Sequence, residues 1–282
     1  MLINSILFNI VLGFVILYIS WHIYNKIYLN CNSNGCMFGY NIKEGYGTGD
    51  LSINVLDIKT DDKILVILRN MLQDIDSLFN TYDITYWIDG GTLLGAIRHE
   101  NVIPWDDDAD LSILSKDEFQ FLSLEPRLNE MGYGLGTFWG GYKIYPLNGM
   151  DIKDYNRNWK WNKDPEFIVN EKVDYKYPFI DIFIVAKKGN KYEYLDPRVQ
   201  KMWPNYYHEE KDLLPLKRYK FANFELTGPA NPKPYLDRSY GKDWPTVGYR
   251  QYDHQNQRLI KKVKFTIPKP LLSQALQLCS QR

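Results

Sequence analysis

Cysteine is scarce in this chain: Cys31, Cys36 and Cys279 are all there is among 282 residues. Three thiols do not make the paired framework of a disulfide-stapled domain. The four histidines, His22, His99, His208 and His254, are scattered, and no Cys-x-x-Cys or His-x-x-x-His spacing occurs. That excludes a structural zinc site of the usual spacing. Net charge is also missing, because 34 basic and 34 acidic residues cancel. The chain therefore lacks the broad positive field that a nonspecific nucleic-acid binder needs, and no nucleic-acid partner is expected. No internal repeat and no low-complexity tract is present. No Asn-x-Ser/Thr sequon occurs, which argues against a glycosylated lumenal domain.

Charge is absent locally at the start of the chain. Residues 1–25 hold no Asp, Glu, Lys or Arg. The stretch from Ile6 to Tyr24 is roughly 19 residues, about 28 Å as a helix, which nearly matches a hydrocarbon core of ~30 Å. Trp21, His22 and Tyr24 stand where an interfacial aromatic belt lies. A cleaved signal peptide fits less well, for want of a basic leading region and a small-x-small cleavage site. We expect residues 1–25 to be an uncleaved, single-pass membrane anchor. Residues 26–55 read as a linker, with Gly, Asn and Ser prevailing from Asn30 to Asp50. Cys31 and Cys36 in that linker could pair on an oxidising side, carry a lipid on a cytosolic side, or stay as free thiols. Residues 56–250 are expected to form the main domain and 251–282 a C-terminal tail.

Within the domain, Ile64, Leu65, Leu68, Met71, Leu72, Ile75, Leu78 and Phe79 recur at helical period and predict a packing helix from about Thr60 to Phe79. A short strand is expected at Tyr86–Ile88, then a turn at Gly90-Gly91 and a helix from Thr92. An apolar strand follows at Leu111–Leu114. A helix is expected from Lys116 to Glu130 with Pro126 near its end, and a hairpin from Tyr133 to Tyr145 turning at Gly140-Gly141. Residues 153–176 show no pattern and read as a long loop. Pro178 to Val185 reads as a buried strand interrupted by Asp181. Aromatics are plentiful, with 22 Tyr and 8 Trp. They serve a core, or surfaces that stack on sugars or bases.

Three features carry chemistry. Asp106, Asp108 and Asp110 stand at i, i+2 and i+4. A strand running back through them would point all three to one face. Like charges so placed repel unless a cation sits among them, and an oxygen-only set favours Mg²⁺ or Mn²⁺. The bland reading is a solvated acidic loop, but the run leads straight into an apolar strand. Asp181 stands alone among apolar neighbours. A carboxylate there must pair, titrate or bind a metal, unless its strand is a sheet edge facing water. A neighbouring strand would bring it to Asp108 and Asp110. Gly90-Gly91-Thr92 before a helix lets backbone approach a ligand, and the helix N-terminus attracts phosphate. Arg98 could contact that phosphate or pair with one of the aspartates. His99 reads as packing or surface rather than as a base. Phosphate at a helix end and metal on carboxylates are the two halves of a phosphoryl-transfer site.

These residues resemble a known family. Asp89-Gly-Gly-Thr-Leu-Leu-Gly-Ala-Ile-Arg98, followed by Ile103-Pro-Trp-Asp-Asp-Asp-Ala-Asp110, is similar to the signature of the LicD/fukutin family. Phe179-Ile-Asp-Ile-Phe183 resembles its third acidic motif, and Tyr235 to Trp244 its C-terminal tyrosine–glycine element. The resemblance covers about Leu65 to Trp244. It implies an α/β (α+β) nucleotidyltransferase-like fold, a mixed sheet with flanking helices, preceded here by the N-terminal transmembrane helix. It implies a catalytic domain over 56–250 that moves a phospho-substituent, of the phosphocholine or ribitol-phosphate type, from a CDP-linked donor to a glycan or glycoconjugate. Asp108, Asp110 and Asp181 would be the catalytic metal ligands for Mg²⁺ or Mn²⁺, with Asp106 a further candidate. Gly90, Gly91, Thr92 and Arg98 would hold donor phosphate, and Asp181 or Asp110 would take the acceptor's proton. The anchor implies a Golgi/ER-type membrane, or a host membrane if the chain is virus-encoded. The chain departs from some animal relatives in lacking C-terminal cysteines for a zinc site, and 148–176 shows no acceptor pattern.

Two other readings stand beside this one. A non-catalytic glycan- or nucleotide-binding membrane protein would keep the fold and lose a metal aspartate, yet all three are present. A nucleotidyltransferase acting on a small molecule or RNA fits poorly with neutral charge and a membrane anchor.

Overall fold

Asp61 opens the described domain by capping a helix, its side chain accepting from the Lys63 N–H at 2.8 Å. The computed structural model describes residues 59–152, 174–256 and 258–273. The expected anchor and linker, and nearly all of the 153–176 loop, lie outside the described residues. Among the described residues no helix is long and apolar enough to cross a membrane.

Helix α1 (Asp62–Thr81) buries Ile64, Leu65, Leu68, Met71, Leu72, Ile75, Leu78 and Phe79, the stripe read from the sequence. Each such side chain contributes about 1.5–3 kcal/mol when fully buried. Strand β1 (Tyr86–Ile88) is buried throughout, and it leads into α2 (Gly90–His99) and β2 (Ala109–Leu114). The single helix expected over Lys116–Glu130 is instead broken into a 3₁₀ turn (Ser115–Asp117), α3 (Glu118–Ser123) and α4 (Glu125–Glu130). Pro126 sits in the first turn of α4, not near the end. A proline there has no N–H to continue α3 but is well suited to start a new helix.

The hairpin is β3 (Tyr133–Phe138) and β4 (Gly141–Pro146). A short pair, β5 (Met150–Asp151) and β6 (Lys176–Tyr177), closes the base of the long loop. Then come β7 (Ile180–Lys188), β8 (Lys191–Tyr194), α5 (Pro197–Met202), β9 (Tyr207–Glu209) and α6 (Glu210–Leu213). The pair β10 (Lys217–Phe221) and β11 (Phe224–Gly228), α7 (Lys233–Tyr240), and the pair β12 (Val247–Asp253) and β13 (Arg258–Thr266) complete the described chain.

The main sheet has the order β1-β2-β7-β4-β3, and β8 pairs with the far half of β7 and with β9. Only β2 and β7 run parallel in it; the other pairs are antiparallel. This is a mixed α/β fold. On one side, Phe79 of α1 meets Tyr86 and Phe121 edge-on at 5.5 and 5.9 Å. A second cluster gathers Trp87, Phe183, Val185, Tyr192, Tyr194, Val199 and Leu213. The sheet is thus covered on both faces, and the strands read as near-continuous apolar runs. The C-terminal hairpin packs back through Phe265 on Trp105, with ring centroids 4.7 Å apart. The domain boundary expected at residue 250 falls inside β12.

Candidate active site

Strand register builds the centre. Asp110 on β2 lies opposite Asp181 on β7, and Asp181 lies opposite Lys143 on β4. Directly opposed residues share a face, so three neighbouring strands present Asp110, Asp181 and Lys143 in a row. Asp108 and Asp106 precede β2 rather than lying in it. One oxygen each from Asp108, Asp110 and Asp181 falls within 4.8 Å of the others. Asp181 is buried in a strand with partners on both sides, not at a sheet edge.

Helix α2 begins at Gly90, two residues earlier than expected, because Asp89 caps it. Asp89 Oδ1 accepts from the Gly90 N–H at 3.0 Å, and its Oδ2 accepts from the Ser112 hydroxyl at 2.6 Å. His208 Nε2 lies 3.2 Å from Asp89 Oδ1. The Gly91 N–H donates to Asp110 Oδ2 at 2.7 Å, so the anion at the start of α2 in this structure is a carboxylate of the cluster. Both glycines sit close against the carboxylates. A Cβ on Gly91 would come 2.7 Å from Asp106 Oδ2. One on Gly90, whose φ is +47°, would come 2.5 Å from Asp110 Oδ2. Thr92 Oγ1 accepts from the Asp110 N–H at 2.7 Å, which ties the strand to the helix.

Arg98 is buried, and among the described residues it forms no ion pair with the aspartates. Its Nη1 donates to the carbonyls of Trp244 and Val247 at 2.9 and 3.1 Å, and its Nε donates to His99 Nε2. His99 packs edge-on against Trp105 and bonds the Leu271 carbonyl through Nδ1. Burial and the neighbouring Arg98 push its pKa down to about 3, so it is neutral.

Asp107 belongs to a second cluster, in which its carboxylate, those of Asp106 and Asp108, and a ring nitrogen of His254 lie within 4.8 Å of one another. Its carboxylate meets His254 Nδ1 at 2.5 Å, while His254 Nε2 lies 3.0 Å from Asp108 Oδ2. Burial alone would lower the His254 pKa, but Asp108, Asp107 and Asp106 outweigh it and lift it to about 10. Burial also raises Asp107, yet His254 wins and holds it below the usual carboxylate range. Asp110 is pushed up to about 8 by burial, Asp181 and Asp106. Asp106 rises to about 6 through burial and Asp107, against the pull of His254. Asp108 is raised well above its ordinary value by burial and by Asp110, Asp106 and Asp181, again against His254. Crowded carboxylates with raised pKa values are what a hard divalent cation relieves.

A cavity of about 600 Å³ opens over the cluster. Gly90, Gly91, Arg98, Asp106, Asp108, Asp110, Lys143 and Asp181 contribute to its lining, and Thr92 does not. One wall is aromatic: Phe138, Trp139, Trp203 and Tyr206, with Trp139 and Trp203 stacked at 5.5 Å. The lining continues through Tyr240 of α7, which meets Tyr206 edge-on at 5.7 Å, through Trp244, and through Tyr249 and Arg250 of β12.

Residues 83–231 match the family model described as LicD/FKTN/FKRP, nucleotidyltransferase domain. The chain belongs to this family. An uncharacterized protein of Rickettsia prowazekii is 30% identical over 213 residues, 74% of this chain and 68% of that protein. The lipopolysaccharide cholinephosphotransferase LicD of Haemophilus influenzae is 46% identical over 55 residues, 20% of each chain. The ribitol 5-phosphate transferase FKRP of Homo sapiens is 26% identical over 179 residues, 62% of this chain and 31% of that one. The matched stretch thus spans a minor part of LicD and of FKRP.

Within this LicD-family domain, sequence reasoning missed four residues. Asp89 gave a signal, since an Asp before a helix is a ready cap. Lys143 lies in the expected hairpin, but the register that sets it across from Asp181 is that of β4 with β7. His208 and His254 reach the site through long-range packing that leaves no local trace.

Proposed function

We propose that the chain is a divalent-metal-dependent transferase that moves a phospho-substituent, of the phosphocholine or ribitol-phosphate type, from a CDP-linked donor to a glycan or glycoconjugate. The observation that carries this reading is the convergence of Asp108, Asp110 and Asp181 to within 4.8 Å at the floor of the cavity. Family membership supports it, as do the activities for which the relatives LicD and FKRP are named.

Asp108, Asp110 and Asp181 would hold Mg²⁺ or Mn²⁺, with Asp106 beside them. The bound ion would neutralise charge on the donor's phosphoryl oxygens. The chain's own residues do the rest. Gly90, Gly91 and Arg98 line the side of the cavity where the donor's diphosphate would lie, and Thr92 steadies Asp110 through its backbone N–H. The acceptor hydroxyl forms a new O–P bond, the diphosphate P–O bond breaks to release CMP, and the hydroxyl proton passes to a carboxylate of the cluster, Asp110 or Asp181. The aromatic wall excludes water from the reacting phosphorus. The apolar segment from Ile6 to Tyr24 would hold this domain at a membrane of the Golgi/ER type, or at a host membrane for a virus-encoded chain.

The test is donor hydrolysis by the full chain with CDP-choline, CDP-ribitol or related donors, in Mg²⁺, Mn²⁺ or EDTA, following CMP. EDTA-sensitive CMP release from one donor supports the reading. Metal binding without donor turnover, even with glycan acceptors present, would favour the non-catalytic binding protein.

A further inference from the structure

Lys143 is 4% exposed and its ammonium bonds Asp181 Oδ1. The other directions around Nζ are taken largely by ring faces: Phe179 at 3.4 Å to the centroid, Phe138 at 4.4 Å and Tyr175 at 5.0 Å. Such a box holds a cation by the negative faces of its rings while offering it no hydrogen-bond acceptor. A lysine buried this deeply needs an anionic partner. Asp181 is that partner, and Asp181 also belongs to the carboxylate trio. Both residues line the cavity. The direction left open to the ammonium is therefore towards the place where a ligand would enter.

We propose that Lys143 is a resident cation of the transfer centre. It shares Asp181 with the divalent ion, and it donates a hydrogen bond to the donor's phosphate. The inference rests on the transferase reading above. Two consequences oppose each other. The ammonium repels the metal, so it weakens metal binding. It attracts the diphosphate, so it strengthens donor binding. A lysine that merely filled space would do neither.

The experiment compares the full wild-type chain with K143M, whose side chain has similar length and no charge. Calorimetry with Mn²⁺ alone should show at least about tenfold tighter binding in K143M, the order expected on removing a like charge a few ångströms away. Calorimetry with a CDP-linked donor in saturating Mn²⁺ should show at least about tenfold weaker binding. Metal and donor affinities both unchanged, or both weakened, would overturn the proposal. Should K143M not fold, wild-type chain carrying ¹³Cε-lysine supplies the second measurement. Lys143 should give an upfield, ring-shifted signal that moves with Mg²⁺ and again with donor. A ring-shifted signal indifferent to both overturns the inference. Opposed shifts in the two affinities without any CMP release would leave Lys143 in its role and sink the transferase reading instead.

Discussion

Asp89 and His208 meet at 3.2 Å in a site closed to solvent, 119 residues apart in the chain. His208 also lies flat against Tyr235, with planes 5° apart and centroids 4.2 Å apart. The Tyr235 hydroxyl accepts from the Gly90 N–H at 3.2 Å. The cap of α2 is thus held from beneath by β9 and α7. Burial pushes the Asp89 carboxyl up, but bonds from His208, Ser112 and Tyr235 outweigh it and hold it below the usual carboxylate range.

Breaking that support should cost stability. We expect Asp89→Ala to lose on the order of 3 kcal/mol, the scale for removing one member of a buried bonded pair. Urea denaturation of the metal-free chain measures it. A loss under about 1 kcal/mol would show that Ser112 and the helix start manage without the carboxylate.

Asp108 should behave in the opposite way. It is crowded by Asp106, Asp110 and Asp181, so Asp108→Asn relieves repulsion in the metal-free chain. We expect its melting temperature in EDTA to equal or exceed that of the wild type, with CMP release down by at least about 10³-fold, as for loss of a central electrostatic group. Full activity in this variant would remove Asp108 from the proposed metal site.

The pH dependence follows from the same crowding. Asp110, raised to about 8, and His254, raised to about 10, both bind protons more tightly in the folded chain than in the unfolded one. Stability from such groups is present at lower pH and is lost as pH rises through the folded values. The metal-free chain should therefore melt at falling temperature from pH 6 to pH 10. Mg²⁺ must displace the carboxyl protons, so its affinity should rise from pH 6 to pH 9 with measurable proton release. Calorimetry in buffers of different ionisation enthalpy counts those protons, and a count of zero would contradict the raised carboxyls.

The two glycines should differ in kind. Gly90→Ala meets both a positive φ and Asp110, and should destabilise the fold by about 1–3 kcal/mol. Gly91→Ala has ordinary backbone and presses on Asp106, whose side chain can give way. It should leave stability within about 1 kcal/mol while lowering metal affinity. Thermal melts with and without Mn²⁺ separate the two.

Much of the fold and of the carboxylate site is legible in the sequence. The eight buried residues of α1 declared themselves by period, and Asp181 by being the wrong residue in an apolar run. The break at Leu124 was not read, because Pro126 ends one helix and begins the next with the same local chemistry. The cap at Asp89 is less plain, because the two glycines that follow it favour a turn over the first turn of a helix. His254 and His208 were beyond reach, since their meaning depends on which distant strand folds over which carboxylate. Lys143 lay between these cases, waiting on the register that sets it across from Asp181.

Arg98 binds the backbone of Trp244 and Val247, and so fastens the floor of the cavity to a wall built by later sequence. The floor lies within residues 83–231, the stretch matched to the family. Tyr240, Trp244, Tyr249, Arg250 and His254 all follow it. One cavity is therefore assembled from two stretches of the chain that meet only on folding. Arg98, the His254 ring between Asp107 and Asp108, and Phe265 against Trp105 are the three bolts of that joint, so loosening the later stretch would disturb the carboxylates from a distance.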